Sequence, residues 1–162
     1  LLDEVIKETQ GIEVVEEQDV QIDLAVSSYI PDNFIENSSQ KIEIYQNIAL
    51  CRTEEELQNV IDEVIDRYGR LPKELENLID IARIKQLARK ANILKIAQRE
   101  NGIVFYFVKE KIKPEMVNTL ITKYPMLVKF SNAVEPYVTL RIKENENIIE
   151  KAKEFLNTVI EI

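Results

Sequence analysis

The sequence predicts an α+β fold in which an N-terminal helical layer is joined by one long helix to a small antiparallel or mixed sheet with helices on one face. Three patterns carry this expectation. Apolar residues recur at helical spacing through residues 38–91, most clearly over 57–68. Beyond them, β-branched and aromatic runs alternate with helical stretches in the order strand, strand, helix, strand, strand, helix. That order calls for an antiparallel or mixed sheet. The long helix also changes its apolar side half-way. Leu75, Leu78, Ile79 and Ala82 share one side, and Ile84, Leu87, Ala88 and Ala91 share the other. Its two ends must therefore pack against different neighbours.

Residues 1–9 read as the tail of a preceding helix ended near Gly11, and 12–19 as an acidic linker. The chain opens mid-helix without an initiator methionine, so it is expected to be a piece of a longer protein, with residues 20–162 forming a single domain. Val20–Val26 alternates at period two and reads as a strand stopped before Pro31. Ser38 or Ser39 is the expected cap of a helix running to about Cys51, with Ile42, Tyr45, Ile48 and Ala49 inward. Thr53 and Glu56 form a capping box for the next helix. There Leu57, Val60, Ile61, Val64, Ile65 and Tyr68 fall within about 140° of arc. Gly69 supplies a left-handed stop, and Pro72 stands in the first turn of the helix that follows. Tyr68, Gly69, Leu71 and Pro72 thus form a structural turn.

In the second half, Ile93–Ala97 and Ile103–Val108 read as strands joined through the hairpin signal Asn101-Gly102. A helix over Pro114–Tyr124 and strands at Leu127–Phe130 and Tyr137–Arg141 follow. The last helix runs from about Asn145 to Ile160 with Ile148, Ile149, Ala152, Phe155, Leu156 and Val159 inward.

The 162 residues are enough for one domain with a sizeable core. The net charge of −8 is unevenly spread: residues 1–66 hold 17 Asp/Glu against 3 Lys/Arg, and residues 67–162 hold 12 against 18. The acidic half argues against nucleic acid as its main partner and fits a surface that meets a basic protein patch. No apolar run is long enough to span a bilayer and no signal peptide opens the chain. With Cys51 as the single cysteine, no internal disulfide is possible, and a cytoplasmic location is expected.

Little in the sequence points to catalysis. Histidine is absent, which removes the commonest general base and metal ligand. There is no Walker loop, no Gly-rich phosphate cradle and no nucleophile elbow. Carboxylates cluster at Glu13/Glu16/Glu17 and at Glu54/Glu55/Glu56, the first in a linker and the second at a helix N-terminus that favours negative charge. The expected catalytic, cofactor and metal sites are therefore none. A small enzyme built on paired carboxylates would need a deep pocket lined by two of them. The run Arg83, Lys85, Arg89, Lys90, Lys95, Arg99 contains no acid. It reads as a solvated face or as a partner of the acidic half. The alternative reading is a free-standing nucleic-acid-binding module using Arg83–Arg99. On the capped helix, Glu56, Asn59, Glu63, Asp66 and Arg67 share one exposed strip, with Glu63 and Arg67 spaced to pair.

Four segments in order, Val26-Ser-Ser-Tyr-Ile-Pro-Asp32, Lys41-Ile-Glu-Ile-Tyr-Gln46, Asp66-Arg-Tyr-Gly-Arg-Leu-Pro72 and Leu78-Ile-Asp-Ile-Ala-Arg83, carry a resemblance. The chain resembles the C-terminal module of bacterial transcription-repair coupling factors, most sharply over residues 20–92. It departs from the family pattern at Tyr68, where Phe is more usual, and at Lys41, where Arg is more usual. The resemblance implies a parent that is an ATP- and Mg-dependent DNA translocase displacing stalled RNA polymerase, with the motor elsewhere in that parent. It implies that this module is regulatory and non-catalytic, docking on the UvrB-like N-terminal module of the same chain and masking its UvrA-binding surface. By position, Glu63 and Asp66 would meet basic residues of that partner and Arg67 would orient them, with Glu56 and Asn59 on the same strip.

Overall fold

The structure is a computed structural model that describes residues 19–162. The helix tail and most of the acidic linker expected over 1–19 lie outside the described residues.

Strand β1 (Gln21–Asp23) leads into an extended segment, and three helices follow: α1 (Ser38–Leu50), α2 (Glu54–Tyr68) and α3 (Lys73–Lys90). Then come β2 (Ile93–Arg99), β3 (Gly102–Phe107), α4 (Pro114–Lys123), β4 (Val128–Ser131), β5 (Tyr137–Arg141) and α5 (Ile148–Glu161). The five strands form one mixed sheet in the order β1-β2-β3-β5-β4, parallel only between β1 and β2. The α+β architecture expected from the element order is the one observed.

Two separate apolar cores result. The helical core gathers Ile30, Ile44, Ile48, Leu57, Ile61, Val64, Leu75 and Ile79. The sheet core gathers Ile84, Ala88, Ile93, Ile96, Phe105, Val138, Leu140, Phe155 and Leu156. Helix α3 supplies Leu75 and Ile79 to the first and Ile84 and Ala88 to the second, as its change of apolar side requires. In the sheet core, Phe105 and Phe155 stack with centroids 4.0 Å apart.

Several expectations need correction. The first strand is three residues long rather than seven, because the chain bends after Asp23 and the Ala25 amide donates to Gln98 Oε1 instead of continuing the ladder. Asn37, not Ser38 or Ser39, caps α1, its side chain accepting from the Gln40 amide. Ile44 and Ile48 form the buried side of α1, whereas Ile42 is 54 % exposed. Tyr45 is partly exposed because its hydroxyl reaches out to accept from the Ile30 amide at 2.8 Å. Ile65 lies at the edge of the α2 stripe and is also exposed. Pro72 occupies the cap position of α3 rather than its first turn. The β2–β3 hairpin turns through Glu100 and Asn101, with Gly102 already paired to Arg99. The glycine is needed for space: a Cβ there would stand 2.2 Å from the Leu140 carbonyl oxygen. Helix α5 begins at Ile148, capped by Asn147, and β4 begins at Val128.

Candidate functional site: the outer strip of helix α2

Helix α2 is fixed at both ends by its own sequence. Thr53 accepts from the Glu56 amide at 3.1 Å, and the Glu56 carboxylate accepts from the Arg52 and Thr53 amides at 2.7 and 3.1 Å. Those two amides hold the Glu56 carboxyl below the usual carboxylate range. At the other end Gly69 takes φ +96° and ψ −160°. The φ is positive as expected, but the ψ is that of a region open essentially to glycine alone, not of the left-handed helix.

Leu57, Ile61 and Val64 anchor the inner side, leaving Glu56, Asn59, Glu63, Asp66 and Arg67 outward and exposed. Glu63 and Arg67 approach only to 3.9 Å, and both remain largely solvated. The Arg67 guanidinium lies 5.0 Å from the Tyr68 ring centroid, so its plane is steadied by the aromatic beneath it. Glu56 is committed to the cap. The strip therefore offers Glu63 and Asp66 as exposed carboxylates beside an oriented Arg67, and none of the three enters the helical core.

The motifs around the strip are structural. In the Tyr29–Asp32 segment, Ile30 is buried, the Pro31 carbonyl accepts from the Phe34 and Ile35 amides, and Asp32 forms an ion pair with Lys41. Tyr68 and Leu71 pack on the helical core, with Phe34 6.0 Å from Tyr68. The Tyr68 hydroxyl is buried and meets no hydrogen-bonding partner among the described residues.

The basic run is split by the fold. Arg83 donates to Glu54 at 2.9 and 3.1 Å and to Asp80 at 3.1 Å. Asp80 also takes Lys153 of α5 at 3.1 Å, so this network ties α2, α3 and α5 together. Pairing with the acidic half is thus what happens to Arg83. Lys85 and Arg89 line an open groove of about 430 Å³ beside α1, together with Tyr45 and Cys51. Lys95 and Arg99 lie on β2. No single surface collects all six cations. Cys51 is buried and its thiol donates to the Asn47 carbonyl; burial, then the nearby Glu56 carboxylate, pushes its pKa up, away from a reactive thiolate.

Among the described residues, no group of three or more His, Cys, Asp or Glu side chains is placed to hold a metal ion. No described helix is long and apolar enough to cross a membrane.

Residues 24–117 match the family described as TRCF domain, more than half of the chain. The chain belongs to the TRCF domain family. The transcription-repair-coupling factor of Rickettsia typhi is 32 % identical over 164 residues, which cover 100 % of this chain and 15 % of that protein. That of Escherichia coli strain K12 is 30 % identical over 152 residues, 93 % of this chain and 13 % of the relative. The chain therefore spans about 15 % or less of the length of these relatives. A crystal structure of the C-terminal domain of transcription-repair coupling factor shares the fold, with a TM-score of 0.77, 20 % identity, and coverage of 88 % of this chain and 92 % of that one. The TRCF match takes in α1, α2, the Asp66–Pro72 turn and α3, so the strip lies inside the segment that carries the family signature.

Proposed function

We propose that this chain is the regulatory, non-catalytic C-terminal module of a transcription-repair coupling factor. On this reading it docks through the outer strip of α2 onto the UvrB-like N-terminal module of its parent and masks the UvrA-binding surface there. The parent is read as the ATP- and Mg-dependent translocase that displaces stalled RNA polymerase, its motor and DNA contacts lying in other domains. The observation that carries the reading is that Glu63, Asp66 and Arg67 are held in place by a helix capped at both ends, yet the local core does not need them.

The physics of such a contact is reversible by design. Two solvated carboxylates lose hydration when they dock, and only matched cations supplied by the partner offset that cost. Arg67, steadied over Tyr68, can pair an acid of the partner or orient the two carboxylates. A contact of this kind holds the closed state without a large apolar interface, and a competing force on the parent can open it.

The test is UvrA binding by the full-length parent without DNA or polymerase. Replacing Glu63, Asp66 and Arg67 together with Ala is expected to raise UvrA affinity at least tenfold, since truncating one side of a buried charge contact costs about 2–5 kcal/mol. An affinity equal to that of the unmodified parent would reduce the strip to a solvated helix face.

A further inference from the structure

The open groove beside α1 has α3 as its other wall, and its two ends differ in chemistry. Tyr45, Ile48 and Ala49 line it from α1 at i, i+3, i+4 spacing. Leu78, Ile81, Ala82, Lys85 and Arg89 line it from α3, within about 100° of arc at 100° per residue. The two helices run in the same direction. The Gln86 side chain donates to the Thr53 carbonyl at 3.3 Å, which sets the end of α1 beside the last turns of α3. Tyr45 accepts from the Ile30 amide, and the adjacent Tyr29 amide donates to the Glu74 carbonyl, which sets Tyr45 towards the start of α3. Arg52, Lys85 and Arg89 therefore share one end, and Tyr45, Leu78 and Ile81 lie towards the other. Tyr45 and Ala49 are exposed along the groove, and Ile81 is half-buried but belongs to neither apolar core.

Asp19 also lines the groove, and among the described residues that do so it is the one carboxylate. Its place follows from the sheet. Strand β1 runs parallel to β2 with Gln21 opposite Lys95, so two residues back Asp19 is level with Ile93, just past the end of α3. Val20, buried in the sheet core, anchors this point. The chain preceding Asp19 is thus tethered at the cationic end. Read backwards from Asp19 its order is Gln18, Glu17, Glu16, Val15, Val14, Glu13, Ile12. Carboxylates come first and apolar residues beyond, which is the order the groove presents. In an extended segment Ile12, Val14 and Glu16 share one side. Seven extended residues reach about 23 Å, enough for the roughly 16 Å from Arg89 to Leu78 along the helix axis. Arg52 is held at the rim by donating to the Ala49 and Cys51 carbonyls at 2.9 and 3.2 Å. A tether this short gives the segment a high effective concentration at the groove, so individually weak contacts suffice.

We propose that the groove between α1 and α3 is the seat of this chain's own segment 12–18. Ile12 and Val14 pack against Tyr45, Ile48 and Ile81, and Glu16 and Glu17 pair with Lys85, Arg52 and Arg89. The contact straps the acidic linker to the helical half. Its charged end weakens as salt rises, because exposed pairs are screened. The groove uses none of the residues of the α2 strip and does not depend on the docking reading.

The experiment is NMR on the isotope-labelled 162-residue chain at about 50 mM salt, a screening regime in which exposed pairs still act. The expected result is nuclear Overhauser contacts from the Ile12 and Val14 methyls to the Tyr45 ring and the Ile81 side chain. Glu16→Lys with Glu17→Lys should weaken these contacts at least fivefold and shift the Ala49, Ile81 and Lys85 amides. Adding Lys85→Glu and Arg89→Glu to that variant should bring the contacts back to at least half their strength. Should circular dichroism show that the four-fold variant misfolds, Ile12→Ser with Val14→Ser carries the same test. It changes no described residue and should move the Ala49 and Ile81 amides as the first charge variant does. No contacts in the unmodified chain, contacts untouched by charge reversal, or a folded four-fold variant without them would each overturn the proposal. So would unmoved amides in the serine variant. Contacts seen only between labelled and unlabelled copies would overturn it too, and would mark the groove as an interface between two chains.

Discussion

The helical half and the sheet half are stabilised in different ways and expose different chemistry. The helical half closes a small core around Leu57 and Leu75 and turns a carboxylate-bearing strip of α2 outward. The sheet half closes a larger core around Phe105 and Phe155 and turns outward a face rimmed by Arg99, Lys129 and Arg141. Helix α3 belongs to both, and the Glu54–Arg83–Asp80–Lys153 network bridges them. The contrast teaches that each core closes without the side chains of the surface it turns outward.

The two glycines sharpen this comparison most strongly. Gly102 lacks room, and Gly69 has room but an unusual backbone: nothing lies within 4 Å of a Cβ built there. Gly102→Ala should cost about 3 kcal/mol by forcing β3 and β5 apart, read as a lower denaturant midpoint. Gly69→Val should cost about 2 kcal/mol from strain at φ +96°. A Gly69 variant that melts like the unmodified chain would mean that the turn is not what ends α2.

Asp80→Ala tests the bridge. It leaves Arg83 with Glu54 and Lys153 with the exposed Glu150. A loss of about 1.5 kcal/mol is expected, because the carboxylate is mostly shielded and accepts from two cations. A matching loss from Arg83→Met that is not additive with Asp80→Ala would confirm the coupling in a double-mutant cycle.

The pH limits divide along the same line. Glu56 in the helical half and Glu146 in the sheet half are both held below the usual carboxylate range, first by backbone amides of Arg52 and Lys143 respectively. A lowered folded pKa contributes stability that is present above the unfolded value and lost as pH falls through the folded one. Both halves should therefore weaken in acid, and Glu56→Gln should flatten the acid limb of the helical half. Tyr124 differs: burial first, with its hydrogen bond to Glu154 adding to it, pushes its pKa up to about 12. Its contribution is complete below about 10 and lost as pH rises towards 12. Alkaline weakening, abolished by Tyr124→Phe, should thus be reported by sheet-half probes.

The smallest effects are expected along α2. Tyr68→Phe removes a buried hydroxyl without a hydrogen-bonding partner among the described residues and should raise stability by up to about 1 kcal/mol. The triple Ala variant of Glu63, Asp66 and Arg67 should stay within about 1 kcal/mol of the unmodified chain. A larger loss would place these residues in the helical core.

Much of the fold was legible because it rests on local signals. The Thr53–Glu56 capping box, the stripe ending at Tyr68 and the side change along α3 are each properties of one segment. What was not legible depends on distant partners. The first strand ends early because Gln98, far along the chain, takes the Ala25 amide. The side of α1 was misjudged because Tyr45 spends its hydroxyl on Ile30. Gly102 reads as a turn residue until β5 is laid beside it. The strip was visible since its residues follow one helix, with the family resemblance giving it meaning. The groove between α1 and α3 was invisible, because its two walls meet only when these helices pack side by side.

The central claim is the proposed docking surface on α2, and the most direct measurement is a titration of the UvrB-like module proposed as its partner with this chain in trans. The unmodified chain is expected to bind, more weakly as salt rises, since the contact is between charges. The Glu63→Lys, Asp66→Lys variant should keep its melting temperature and lose at least tenfold in affinity. A variant that binds as well as the unmodified chain would contradict the account, as would binding by neither.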